Sequence, residues 1–572
     1  MDHLDTDIII IGGGAAGATA ALRAKEENMD VLLVVKGFLG RSGASIFAGN
    51  LGVNLPANAL SENTPKGDEK EWLAIRAKYY FYLYDEEHTT AFLKYTQEKW
   101  LPWMESMGMY IRRMNDGKLL TSKLIPETWA PKQGSSGRNL MDILRKEVIS
   151  QGIKVMEETM VTSLLTNEKS VIGATLLNYR DLTMTAVRAK STIIATGLAN
   201  YMAIRSTGTR EQCANGLAMA YRAGAELRDL EIQHWHTSDL AHPSTWMRLH
   251  CYPNPMPDTR ETTRQYNSKG ELIYELKTMN TEIVAPYHIQ LKKLIKTVKD
   301  GKADFRGGYF TSYAHMGKEY LDKLDDYSTQ VAFFRRIVPN WETDKLENAV
   351  TWHMTYGGIK VNNKTMQSSR DGLFAAGGVA GHSTIHVACF DGEIAANSAI
   401  ERAKKMEWPA INEQQVDNEE VRIMNLLKTG EGVTPATVKN KIRQIMWDYM
   451  GPIKSGEKMN QCLSELNQIR AGLLPKMVLS SDTKNWNYEV IDALDVFDML
   501  DVDEITVKSS LARKESRGPF YREDYPYIDN VNMLAHTVIR REKGEDLISL
   551  EPIKFKVIKA PEGIVDYFEA DY

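Results

Sequence analysis

Asp7-Ile-Ile-Ile-Ile-Gly-Gly-Gly-Ala-Ala-Gly-Ala-Thr-Ala-Ala-Leu22 is the stretch whose reading decides the fold. Ile8 to Ile11 is a short unbroken apolar run, the pattern of a central parallel strand buried on both faces. Gly12, Gly14 and Gly17 follow at G-x-G-x-x-G spacing, and Ala15 to Ala24 reads as a small-residue helix. Gly12 permits a tight turn, Gly14 lets a pyrophosphate approach the backbone, and Gly17 lets helix and strand pack closely. The phosphates belong at the start of that helix, over Ala15 and Ala16, where free N–H groups and the dipole favour anions. A second apolar strand at Val31 to Val35 supplies the strand–turn–helix–strand context that a dinucleotide-binding fold requires.

Moving outward, strand two runs into Lys36-Gly-Phe-Leu-Gly-Arg-Ser-Gly-Ala-Ser-Ile-Phe-Ala-Gly-Asn-Leu-Gly52, a loop too polar for core and too patterned for a linker. Dinucleotide folds place an acid at the end of strand two for the ribose, and Lys36 stands there instead. Residues 68 to 112 read as helices rich in Tyr and Trp. Gly134 to Val148 reads as a loop entering an amphipathic helix. Met160 to Val187 alternates as strands do, with a turn at Asn167-Glu168. A buried strand, Ser191 to Gly197, has the form of a late return to the nucleotide sheet, and Ala214 to Glu226 is a helix ending at Gly224. From Ile232 to about Val350 the glycines thin out, which marks a second domain. The first domain resumes at Tyr356 to Val361 and Gly372 to Gly378. A charged stretch near Glu413 to Glu420 separates this from helical periodicity over roughly 420 to 515. The segment from Asn530 has no clear core of its own.

The 572 residues exceed one core, so two to four domains are expected. A net charge of −5 and a pI near 6.2 argue against nucleic acid as the main partner. Cys213, Cys251, Cys389 and Cys462 lie far apart without a C-x-x-C pair, so no disulfide framework, metal site or iron–sulfur cluster is expected within this chain. The chain opens on Met1-Asp-His-Leu-Asp5 and enters strand one directly, so no leader is expected, and no apolar run reaches the ~18 residues of a membrane span. The expected location is cytoplasmic, or peripheral at the inner face of a membrane through a partner.

Four groups of residues in this order resemble the flavoprotein subunits of succinate dehydrogenase, fumarate reductase and adenylylsulfate reductase, with aspartate oxidase a cousin. They are Arg41-Ser42 with the Ala/Gly-rich run after it, Ala195-Thr-Gly197 leading to Gly216–Ala225 and Glu231-Ile-Gln-His-Trp-His236, Gly372-Leu-Phe-Ala-Ala-Gly377 with Ala395-Ala-Asn-Ser398, and Ala512-Arg-Lys-Glu-Ser-Arg-Gly518 with Arg522-Glu-Asp-Tyr-Pro526. The resemblance spans about residues 5 to 530. It implies an α/β architecture: a Rossmann-like FAD-binding domain (1–232, returning over 351–408), an inserted α+β capping domain (233–350), a helical domain (420–530) and a tail (531–572). FAD contacts are implied at Gly12, Gly14, Ala15, Ala16, Gly17 and Lys36, at Arg41, Ser42 and Gly43, at Ala195, Thr196, Gly197 and Asn215, and at Gly377, Gly378, Ile394 and Ala395. Succinate dehydrogenases attach the flavin through a histidine after Arg-Ser. Here the loop reads Arg41-Ser-Gly-Ala-Ser-Ile46, so the flavin is expected to be non-covalent.

His236 and His353 fall on the family's substrate-contacting histidines, whereas His88 and His315 read as structural. Imidazoles suit such contacts because they donate when neutral and gain charge near pH 7. The family's proton-donor arginine has no counterpart: Ala285-Pro-Tyr-His288 places Tyr287 and His288 there. The carboxylate-clamping arginine is also missing from His386-Val-Ala-Cys-Phe-Asp-Gly-Glu393. Bidentate guanidinium–carboxylate recognition is hard to replace, which disfavours plain fumarate or succinate. Phe390-Asp-Gly-Glu-Ile-Ala-Ala396 is closer to the adenylylsulfate reductase version. Three readings stay open. One is an FAD oxidoreductase acting on a small anionic substrate with a ferredoxin-like iron–sulfur partner, with room for a higher oligomer. The others are a free-standing flavin oxidase or reductase, and a non-catalytic electron-transfer subunit.

Overall fold

The computed structural model describes residues 1–48, 69–109, 121–122, 125–126, 136–168, 170–240, 264–275, 286–304, 306–312, 314–315, 340, 343, 345–382 and 384–570. Its largest element is a nine-stranded sheet. Asp2–Ile11 lies at the middle, parallel to Val31–Val34 on one side (Ile9 opposite Leu32) and to Met184–Ile194 on the other (Ile10 opposite Ile193). Ile8, Ile9 and Ile10 are wholly buried, as a strand covered on both faces requires. Leu373–Ala375 joins beyond Met184–Ile194, so the late segment does return to this sheet. Thr159–Thr166 and Val171–Asn178 extend it in antiparallel fashion. Helices Ala15–Glu26 and Ile385–Lys405 pack together, and Gly392 makes the approach: a Cβ there would lie 2.3 Å from the Ala16 carbonyl oxygen.

A five-stranded sheet forms the inserted region, in the order Gln233–Asp239, Leu346–Thr355, Tyr309–Ser312, Arg264–Asn267, Leu272–Glu275. Tyr356 to Val361 divides its strands: Gly358–Ile359 pairs with Leu227–Arg228, while Val361–Asn362 reaches the edge of the nine-stranded sheet. The charged stretch Glu413 to Glu420, placed ahead of the helical periodicity, is itself helix, Glu413–Met424. Val416, Glu419 and Ile423 are its buried residues, an i, i+3, i+7 stripe that survives the high charge, and Asn412 caps the start.

Helices Pro435–Tyr449, Gly456–Gln468 and Tyr488–Ala512 complete the helical part. The C-terminal segment borrows its core from elsewhere. Ala535–Glu542 and Glu545–Pro552 form a hairpin whose first strand pairs with Leu227–Arg228, and Ile564–Asp566 pairs with Tyr527–Asp529. Tyr567 is fully buried and donates to the Gly518 carbonyl at 2.7 Å.

Candidate active site

Gly12 sits at φ +113°, and a Cβ there would lie 2.3 Å from the Ala195 carbonyl oxygen. A Cβ at Gly17 would lie 1.8 Å from the Gly12 carbonyl oxygen, so Gly17 serves helix–strand packing. The helix begins without a side-chain cap or an acid in its first turn, and Ala15 N–H donates to Ser45 Oγ at 3.2 Å. This end of the helix opens on a cavity of about 230 Å³. Gly12, Gly14, Ala15, Ala16, Lys36, Ser42, Gly43, Ala195, Thr196, Gly197, Asn215, Gly378 and His353 are on its wall. Gly17, Arg41, Gly377, Ile394, Ala395 and His236 are not. Arg41 pairs with Asp142 at the surface, and Ala395 is buried inside its helix.

Lys36 is held from an unexpected direction. Its Nζ donates to Asp495 Oδ1 at 2.5 Å and to Asn215 Oδ1 at 2.9 Å, and the Asn215 amide donates to Asp495 and Asp498 at 2.9 and 2.6 Å. Lys439 donates to the other Asp495 oxygen at 2.8 Å. Burial pushes the Asp495 carboxyl up, but Lys36 and Lys439 outweigh it and hold the group at about 2. The carboxylates come from Tyr488–Ala512, where Asp492, Asp495 and Asp498 recur every third residue among apolar neighbours. That spacing was the signal available in the sequence for this end of the site.

At the other end, His236 and His353 stand on adjacent antiparallel strands. Their rings stack at 3.8 Å with 21° between planes. His353 Nδ1 bonds the Thr207 hydroxyl at 2.6 Å, and Thr207 also lines the cavity. His234 joins the pair, 4.5 Å from His236 edge-on, with Nδ1 bonded to the Tyr356 hydroxyl at 3.0 Å. Burial lowers His234 to about 3, so it is neutral throughout the physiological range. His234 and His236, two apart on one strand, share a face with His353, and the register shift between His234 and Trp235 sets His234 opposite Met354 instead of His353. Strict alternation in the sequence gives no sign of that shift.

A second imidazole pair surrounds Asp391 in the helix Ile385–Lys405. His88 Nε2 and His382 Nδ1 bond its two oxygens at 2.8 and 2.7 Å, the Gly377 N–H donates at 3.1 Å, and the rings of His88 and His382 stack at 4.3 Å. Burial raises the Asp391 carboxyl, yet His382 and His88 overcome it and hold it well below the usual range. Burial lowers His382, with Asp391 opposing. Arg228 Nη2 faces His382 Nε2 at 3.4 Å. Arginine only donates, so Nε2 accepts and His382 is the neutral Nδ1–H tautomer. His382 also lines the nucleotide cavity and had no motif to announce it. The ligating atoms of His88, His382 and Asp391 lie within 4.8 Å of one another, but all are engaged in these bonds.

Tyr287 and His288 fall in the first turn of helix Pro286–Lys299, and their side chains lie outside the described residues. Cys213, Cys389 and Cys462 are buried and separate, and Cys251 lies outside the described residues.

Comparison with known proteins gives matches along nearly the whole chain. The chain is 24% identical over 539 residues, 91% of its length and 95% of the relative's, to one of the subunits of the fumarate reductase (CoM/CoB) of Methanothermobacter marburgensis. It is 23% identical over 593 residues to the fumarate reductase flavoprotein subunit of Haemophilus influenzae, covering 97% of this chain and 95% of that one. Among solved structures, a variant of E. coli quinol fumarate reductase FrdA superposes with a TM-score of 0.85 at 20% identity, covering 98% of this chain and 99% of that one. Adenylylsulfate reductase from Archaeoglobus fulgidus gives 0.78 at 20% identity, covering 98% and 97%. At such identities the two structures speak for the fold alone. No helix among the described residues is long and apolar enough to cross a membrane. A family model described as an FAD binding domain matches residues 7–389, more than half of the chain, and one described as the fumarate reductase flavoprotein C-terminus matches 439–567, so the chain belongs to the FAD-dependent oxidoreductase family of fumarate reductase and succinate dehydrogenase flavoprotein subunits.

Proposed function

We propose that the protein is the flavoprotein subunit of an oxidoreductase that exchanges an electron pair between non-covalent FAD and a small anionic substrate. The observation that carries this is the His236–His353 stack, with His353 on the wall of the cavity that begins at the glycine turn. The residues fit the cofactor: the uncapped helix start suits a pyrophosphate, and the cavity continues from it to His353. Bound FAD would supply a two-electron centre. His353, fixed by Thr207, then offers Nε2 toward a substrate oxygen, and His236 stacks behind it. Tyr287 or His288 would move the proton that must accompany the electron pair. Electrons leave or enter through an iron–sulfur partner subunit, because the described cysteines are isolated. Purification from the native source tests the partner: a co-purifying chain with iron and acid-labile sulfide is expected, and a fully active lone chain would defeat this reading.

A second reading, fumarate itself as substrate, is favoured by the name of the Methanothermobacter relative. Against it stand Phe390, in the segment that lacks the clamping arginine and packed on His88 and Tyr95, and the Tyr287–His288 pair. Fumarate turnover with reduced viologen separates the two. Negligible turnover supports the first reading and brisk turnover the second.

A further inference from the structure

Beside the nucleotide cavity the described residues line a second, partly open one of about 70 Å³, with Arg76, Tyr84, His88, Arg228, Tyr356 and His382 among its walls. His382 is the one residue on the walls of both. The bond from Arg228 to His382 Nε2, at 3.4 Å, goes to a neutral acceptor. Among the described residues no carboxylate lies within 4 Å of the Arg228 guanidinium, and Asp229 feels its charge only through space. The acids on the cavity wall are occupied elsewhere. Asp85 accepts the His88 N–H at 2.7 Å as a helix cap. Asp229 is taken by His536 at 2.5 Å, by the Thr537 N–H at 3.1 Å and by Arg513 at 3.6 Å. The Arg228 backbone is fixed between two strands, opposite Gly358 on one side and Val538 on the other. A half-buried guanidinium on a strand paired from both sides, with no paired carboxylate among the described residues and facing a partly open cavity, is suited to receive an anion.

We propose that this second cavity binds the head of a small carboxylate on Arg228, with His382 as its neighbour toward the nucleotide cavity. The cavity, about 70 Å³, has room for the head of a small carboxylate. Arg228 thereby supplies the guanidinium that the segment around Phe390 lacks. The assignment of the anion as substrate rests on the proposed function, but binding does not, and the two are tested apart.

The FAD-loaded protein is titrated with sodium acetate at constant ionic strength, with acetamide as the uncharged control. Flavin difference absorbance and the line width of ¹³C-acetate report binding. Saturable binding to acetate alone is expected, weakened at least tenfold in Arg228→Gln and partly recovered in Arg228→Lys. Should Arg228→Gln fold poorly, phenylglyoxal labelling of Arg228 in the unaltered protein, mapped by mass spectrometry, serves instead. Acetate should slow that labelling and acetamide should not. Absent saturation, equal binding by the Gln variant, or labelling indifferent to acetate overturns the site. Acetate binding lost with substrate turnover unchanged would overturn the substrate assignment while sustaining the site.

Discussion

Arg513 Nε donates to Glu231 Oε1 at 2.6 Å across 282 positions of sequence, with both side chains fully buried. The bond joins two of the stretches that stand out in the sequence, Glu231–His236 and Ala512–Gly518. Arg513 also bonds Glu515 at 2.9 Å, and Glu515 bonds Arg517 at 2.8 Å, so with Asp229 two cations and three anions share one buried cluster behind the histidine strand. Removing one partner of a buried pair leaves an uncompensated charge, at a cost of about 3–5 kcal/mol. Arg513→Ala should lower stability by that amount in urea unfolding, and an unchanged midpoint would remove the cluster from any part in holding the strand.

Asp495 carries a pH dependence of definite sign. Its carboxyl is held at about 2 in the folded protein, against roughly 3.9 in an unfolded chain. A depressed carboxyl contributes stability that is fully present above the unfolded value and is lost as pH falls through the folded one. The window is therefore about pH 4 down to about pH 2, and the contribution is about 2–3 kcal/mol. Asp495→Asn should be less stable than the unaltered protein at neutral pH. It should also show a smaller loss between pH 4 and pH 2, which urea unfolding at several pH values would measure. A loss as steep as in the unaltered protein would assign the acid sensitivity to another carboxylate.

The flavin should come away without covalent bond breaking. Ser45, in the loop after Arg41-Ser42, accepts from Ala15 N–H, and no histidine stands in that loop. Acid precipitation should leave the yellow colour in the supernatant. Colour retained in the pellet would mean attachment through a residue other than histidine at this position.

The sequence makes the nucleotide end of the site legible because its signals are local. Gly12 and Gly17 are fixed by contacts within a few residues of one strand–turn–helix or with the next strand over, and only glycine fits. His382, His234 and Asp495 are not legible in that way. His382 matters because Asp391 and His88, 303 positions apart, meet beside it. His234 meets His353 only because two distant strands pair, which periodicity within either strand does not reveal. Asp495 acts on Lys36 from 459 positions away. The helix over Glu413 to Glu420 is hidden for the opposite reason: three buried positions suffice to place a highly charged segment.

His353→Ala should keep FAD and lose turnover by about 10²–10³, the usual cost of one hydrogen bond to developing charge. Thr207 fixes the ring from the Nδ1 side at 2.6 Å, so Thr207→Val should give a smaller loss of the same kind. Flavin content and rate, measured on the same preparations, check both. Loss of flavin alongside activity would make the His353 effect one of cofactor binding.

Under the proposed function, Tyr287 and His288 take the place of the family's arginine proton donor. An electron pair passed to carbon needs a proton delivered in step, and a positioned general acid contributes roughly 10²–10⁴ in rate. Arginine is ionised at every accessible pH and works only when coupled to a relay. A phenol recharged by an imidazole that titrates near neutrality would do the same task. Their adjacent places in the first turn of Pro286–Lys299 put both on one short stretch of backbone. Tyr287→Phe and His288→Asn should each lower turnover at least tenfold without releasing FAD. His288→Asn should also flatten the limb of the rate–pH profile near neutrality, which a packing defect alone would leave in place. Two fully active variants would end the assignment and return proton delivery to another group.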